Sequence, residues 1–117
     1  MTKLITVFLL LLSQLTFAEN CITKRELFIE NTATKVWKTT ICPNQKLSFH
    51  VHHYSRVVIP EETGSLKVTY QSGKEDFINL KKQIPVYLSV AQGKEPHQDE
   101  NAGKEPLHVT VIELKNG

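Results

Sequence analysis

The sequence predicts an all-β fold: a small antiparallel β-sandwich of immunoglobulin-like type, with a small β-barrel as the alternative. Three observations carry this reading. Apolar and polar side chains alternate with period 2 in segment after segment. Clusters of Pro, Gly, Asn and Ser separate those segments at short intervals. Beyond the first eighteen residues no apolar face recurs at helical spacing. Seven or eight short strands spaced in this way suit two packed sheets.

The strands are justified in order. In residues 25–31, Leu27 and Ile29 share a face and Phe28 points away. Residues 35–42 put Trp37 and Ile41 on one face, where a core tryptophan is expected. Residues 46–52 place Leu47, Phe49 and Val51 inward and His50 and His52 outward, if alternation is strict. Residues 56–59 turn Val57 and Ile59 inward. Leu66, Val68 and Tyr70 alternate with Lys67, Thr69 and Gln71. Residues 76–80 are short and mixed, and Ile84, Val86, Leu88 and Val90 form another face. Leu107, Val109 and Val111 begin the last strand. Between these last two, residues 91–106 are polar, rich in charge, and twice carry Gly-Lys-Glu-Pro, at Gly93 and Gly103. A stretch this long with no apolar face is expected to be a flexible loop.

The N-terminus sets the compartment. Lys3, an apolar run over residues 4–12 and small residues at Thr16 and Ala18 form a secretory signal peptide over residues 1–18. One β-sandwich domain then spans residues 19–117. The apolar run is shorter than the roughly 20 residues a membrane helix needs. No later segment approaches that length, so no transmembrane segment is expected in the mature chain. A secreted or periplasmic location follows. There the two cysteines, Cys21 and Cys42, are expected to pair. Glu19 and Asn20 stand where a lipid-attachment signal needs small apolar residues. The 14 basic and 12 acidic residues nearly cancel, so no nucleic-acid partner is expected.

His50, His52 and His53 form the only local cluster of potential metal ligands. On a strand, His50 and His52 project to one face, so both imidazoles can reach one ion. Zinc or copper suits such a pair. A catalytic zinc takes three protein ligands, and a third must come from His53, Glu61, Glu62, His97 or His108. The His-x-His pair resembles that of cupins and other β-scaffold metal enzymes. The cupin pattern continues with a Glu four or five residues later and flanking glycines. Here the next acids are Glu61 and Glu62, after Pro60, and the leading glycine is absent.

No Gly-x-Ser-x-Gly context surrounds any serine, and no glycine loop suits a phosphate. The expected function is therefore binding of another extracytoplasmic protein, without catalysis and without a cofactor. An exposed sheet face or edge including His50, His52 and Tyr87 is the expected surface, flanked by residues 92–106. The alternative is a metal-binding protein or small metalloenzyme centred on His50 and His52.

Overall fold

The structure, a computed structural model, describes residues 20–116. The signal peptide expected over residues 1–18 lies outside the described residues. Eight strands and one short helix follow in the order β1 (Lys24–Glu30), β2 (Thr34–Ile41), β3 (Ser55–Pro60), β4 (Gly64–Tyr70), β5 (Glu75–Leu80), β6 (Val86–Leu88), α1 (Val90–Gly93), β7 (His97–Asn101) and β8 (Leu107–Leu114). One sheet has the order β1-β2-β8-β3-β6 and the other β5-β4-β7, with every pairing antiparallel. Residues 46–50 extend the second sheet beyond β7 through bridges at Lys46↔Glu100 and His50↔His97.

This order makes the chain cross repeatedly between sheets. It leaves β2 for residues 46–50 in the facing sheet, returns at β3, and crosses again for β4 and β5. After β6 it crosses once more for β7, and β8 closes the first sheet between β2 and β3. An immunoglobulin-like sandwich keeps A, B, E and D in one sheet and C, F and G in the other. The alternation in this chain is a jelly-roll wrapping, in which two sheets curl around a shared interior. The all-β expectation holds, and the barrel alternative describes the wrapping better than the immunoglobulin-like sandwich.

Long pairing at the centre explains why this wrapping is stable. β2 pairs with β8 over its whole length, from Thr34↔Leu114 to Ile41↔Leu107. Trp37, Ile41, Val58, Leu66, Leu80, Leu107, Val109 and Val111 form the buried core. The alternation in β4 and β8 is as expected: Leu66, Val68 and Tyr70 are buried, as are Leu107, Val109 and Val111. Cys21 and Cys42 form a disulfide with a sequence separation of 21, anchoring the start of the described chain beyond the end of β2. In the chain-entropy model a loop of that size contributes about 3 kcal/mol.

Several facings differ from those expected, and in β3 the alternation is kept but in the opposite sense to Val57 and Ile59 inward. In β3, Arg56 and Val58 are buried while Val57 and Ile59 are half-buried. β1 is an edge strand whose register slips between Leu27 and Ile29, and Leu27, Phe28 and Ile29 are all exposed. Ile84 and Val90 flank β6 and are exposed, leaving Val86 and Leu88 to pack on the core.

The largest correction falls on residues 46–52. Phe49 is 50% exposed and Val51 is exposed too, whereas His50 and His52 are half-buried. From Lys46 to His50 the chain advances four residues, while its partner advances three, from Glu100 to His97. The additional residue is a bulge, and a bulge reverses the alternation beyond it. Leu47 therefore faces the interior together with His50 and His52.

The expected flexible loop over 91–106 is also corrected. It contains most of α1 and the whole of β7, which pairs with β4 from Leu66↔Asn101 to Tyr70↔His97. Buried Asn101 fastens its end, donating from Nδ2 to the carbonyls of Ile41 and Glu105, each at 2.8 Å.

Candidate metal and ligand site

The bulged segment and β7 bring three imidazoles together. His50 and His97 exchange backbone hydrogen bonds: His50 N to His97 O at 2.9 Å, and His97 N to His50 O at 3.0 Å. His52 N donates to Gly93 O at 2.8 Å, tying the segment to α1. One ring nitrogen from each of His50, His52 and His97 lies within 4.8 Å of the others. Alternation along β7 puts Asp99 on the face of His97. Its Oδ2 stands 3.2 Å from His50 Nε2.

Backbone carbonyls fix two of the three rings. His50 Nδ1 lies 2.7 Å from Ser48 O, and His97 Nδ1 lies 2.8 Å from Glu95 O. A carbonyl only accepts, so each Nδ1 carries the proton and donates. Nε2 of neutral His97 is then left with its lone pair, whereas Nε2 of His50 faces the accepting carboxylate of Asp99 and donates to it when the ring is protonated. His97 is fully buried, and its Nε2 has no hydrogen-bond partner among the described residues.

The charge states follow from burial and neighbours. Burial disfavours the charged form of His52, and the positive Arg56 adds to this, pushing its pKa down to about 3. Burial likewise lowers that of His97. Burial acts downward on His50 too, but bonds to Asp99 and the Ser48 carbonyl outweigh it and raise its pKa. Burial disfavours ionised Asp99, but the bond to His50 and the surrounding imidazoles hold its pKa below the usual value.

Arg56 on β3 is only 4% exposed. Its Nη2 donates to Gln92 Oε1 at 2.5 Å, whereas its Nη1 is buried without a partner among the described residues. The Tyr70 hydroxyl donates to Gln92 O at 3.1 Å and steadies α1. Gly93 is required beside this group. A Cβ there would lie 2.8 Å from His52 Cβ and 2.9 Å from Arg56 Nη1.

A cavity of about 330 Å³ between the sheets is lined by His50, His52, Arg56 and Asp99, with His97 behind His50 and His52. Its charged lining is Arg25, Arg56 and Asp99, together with His50 and His52. Arg25 is exposed and lies over the Trp37 ring at 4.0 Å. The remaining wall is mostly aliphatic, with Ile41, Leu66, Val58 and Val109 among its members.

Of the residues singled out from sequence, His50 and His52 are brought together as expected. His53 is exposed and outside the cluster. The third imidazole is His97, from the stretch expected to be a loop. Its signal is the His97-x-Asp99 spacing, which gives a strand one polar inward face. Arg56, four residues after His52, is inconspicuous in the sequence because an arginine is rarely buried. The expected interaction surface is divided: Tyr87 is 63% exposed, but His50 and His52 line the cavity. A second group, Glu61, Glu62 and His108, satisfies itself. Glu62 accepts from His108 N and faces its Nδ1, and Glu61 pairs with Lys38 at 2.6 Å.

No family model matches the chain, and no curated protein matches it. Solved structures do. A cupin domain from Bordetella pertussis Tohama I matches with a TM-score of 0.69 and 22% identity, covering 80% of this chain and 93% of that one. An RmlC-like cupin family protein with a double-stranded β-helix fold, from Methanocaldococcus jannaschii, matches with a TM-score of 0.62 and 12% identity, over 82% and 83% of the two chains. An uncharacterised conserved protein with a double-stranded β-helix domain, from Klebsiella pneumoniae, gives 0.59 and 20%, over 84% and 82%. These likenesses establish the fold as a double-stranded β-helix barrel of cupin type. By spacing alone, Arg56 stands four residues past His52, at a distance where the cupin pattern has a glutamate.

Proposed function

We propose that this chain is an exported metal-binding protein whose site is His50, His52 and His97. The observation that carries the reading is the buried, unpartnered Nε2 of His97 beside two further imidazoles. Leaving a buried polar atom without a partner costs free energy, and an ion accepting its lone pair would recover that cost. Hydrogen bonds from Nδ1 to backbone carbonyls orient His50 and His97 in the way that supports metal ligands.

Three imidazoles without sulfur suit zinc, copper(II) or another late first-row divalent ion. Arg56 opposes a cation here, and Asp99, the one carboxylate lining the cavity among the described residues, offsets part of that opposition. A bound ion would supply Lewis acidity, with the cavity left for a ligand. The role we propose is binding, without turnover. Export is supported by the leader-like first eighteen residues and by the disulfide. The partner-binding reading keeps Tyr87 alone, since His50 and His52 line the cavity.

The test is metal content of the disulfide-bonded protein purified without a polyhistidine tag and dialysed against zinc. About one equivalent is expected. His97→Gln should weaken binding at least about tenfold in a chelator competition, and His53→Ala should leave it unchanged. Substoichiometric zinc in the folded wild type, or equal losses in the two variants, would refute the proposal.

A further inference from the structure

A second unsatisfied group belongs to Arg56, which lines the cavity, and it is a donor. Arg56 is 4% exposed, and one of its terminal nitrogens, Nη2, is engaged by Gln92. The other, Nη1, is buried with no partner among the described residues. A guanidinium removed from water needs both charge compensation and hydrogen-bond acceptors. Asp99 and Glu113, the cross-strand partner on β8, compensate part of the charge, but Asp99 Oδ2 is turned to His50 Nε2 and neither is a hydrogen-bond partner of Nη1. With Arg25 counted, the cavity lining holds two guanidiniums against one carboxylate. Three neutral or cationic imidazoles stand beside them, and none of them adds negative charge.

The rest of the lining is mostly aliphatic, with Ile41, Leu66, Val58 and Val109 among its members, while Trp37 stacks on His52 and carries Arg25 over its ring. A cavity of about 330 Å³ lies at the small end of ligand pockets. An apolar chamber with a cationic donor at one end sorts ligands by two features, a compact apolar body and a single anionic head.

We propose that this cavity binds a small organic carboxylate, its carboxylate on Arg56 and its apolar body against the aliphatic lining. The inference rests on the site described under the proposed function and assigns a ligand class to it. Because the anchor is Arg56, binding is expected in the metal-free protein as well as the zinc-loaded one.

Benzoate and its neutral isostere benzamide test this by calorimetric titration, into chelator-treated and zinc-loaded protein. Benzoate is expected to bind at least about tenfold tighter than benzamide, the worth of one hydrogen bond to a charged group. Arg56→Gln should abolish that preference, with folding checked by its urea transition. If the variant does not fold, the wild-type comparison of the two isosteres decides alone. Equal affinity for both, or no saturable benzoate binding, overturns the proposal. Zinc stoichiometry is read separately. Benzoate preference without zinc uptake supports the carboxylate site and removes only the metal reading, whereas zinc uptake without benzoate preference removes only the carboxylate site.

Discussion

Gly93→Ala is expected to damage the metal site from outside its ligand set. The added Cβ would stand 2.8 Å from His52 Cβ, 3.0 Å from His52 Cδ2 and 2.9 Å from Arg56 Nη1. Ordinary carbon contacts begin near ~3.5 Å, so the first approach is about 0.7 Å too close. His52 Cβ is attached to the backbone and cannot swing aside as the tip of a long side chain can. The hydrogen bond from His52 N to Gly93 O, at 2.8 Å, holds together the two backbones that the methyl group would push apart.

Overpacking of this kind costs about 1–3 kcal/mol. Alanine returns about 0.5–1 kcal/mol of backbone entropy within α1. A net loss of about 1–2 kcal/mol is therefore expected in urea unfolding. Zinc affinity should fall at least about tenfold, because a ligand displaced by a fraction of an ångström no longer shares a centre with the other two. Chelator competition on folded protein measures this directly. Wild-type stability together with wild-type zinc affinity would refute the close packing of Gly93 against His52 and Arg56.

Two further outcomes are expected. The metal-free protein should lose stability as pH falls from 7 toward 4. His52 has a folded pKa of about 3 against an ordinary 6.5, so in this window the unfolded chain binds the proton and the folded one does not. His97, lowered by burial, acts in the same direction, whereas His50, raised by Asp99, stabilises the fold below 6.5 and opposes them. Urea midpoints across this range should decline, and a flat or rising profile would contradict the charge states assigned to these rings. Separately, Phe49→Ala should cost less than about 1 kcal/mol because the ring is half-exposed, while Leu80→Ala, at a fully buried site, should cost about 2–5 kcal/mol. The reverse order in urea unfolding would return Phe49 to the core.

How much of this is legible in the sequence depends on what each element faces. β4 and β8 face aliphatic neighbours, and their alternation reads directly as Leu66-Val68-Tyr70 and Leu107-Val109-Val111. The disulfide is legible as an isolated pair of cysteines behind a leader-like segment. The elements around the cavity defeat a periodic reading for a shared reason. Periodicity assigns the apolar face to the interior, and this interior is polar at one end. His97, Asp99 and Arg56 therefore look like surface residues in the sequence, and the segment carrying His97 looks like a loop. At residues 46–52 a bulge compounds the difficulty, because one unpaired residue is invisible to a period-2 reading yet reverses every facing after it.

The positions that depart from the periodic reading converge on one place, and that convergence is itself informative. A chain whose interior served packing alone would gain nothing by burying His97 or the Arg56 guanidinium, and it would incur the desolvation of both. Aliphatic residues at those positions would satisfy the alternation and extend the core. Instead the bulge, Gly93, Gln92, Asp99 and two backbone carbonyls are arranged around the polar groups, orienting some nitrogens and leaving one on His97 and one on Arg56 without partners among the described residues. One of these offers a lone pair and the other a proton, and the two differ in the charge they favour: an imidazole nitrogen can hold a cation, and a guanidinium attracts an anion. A cation at the first and an anionic head at the second satisfy each group by its own chemistry. What favours a binding cavity over a structural polar core is the desolvation cost of Arg56 and His97, which packing alone would not offset.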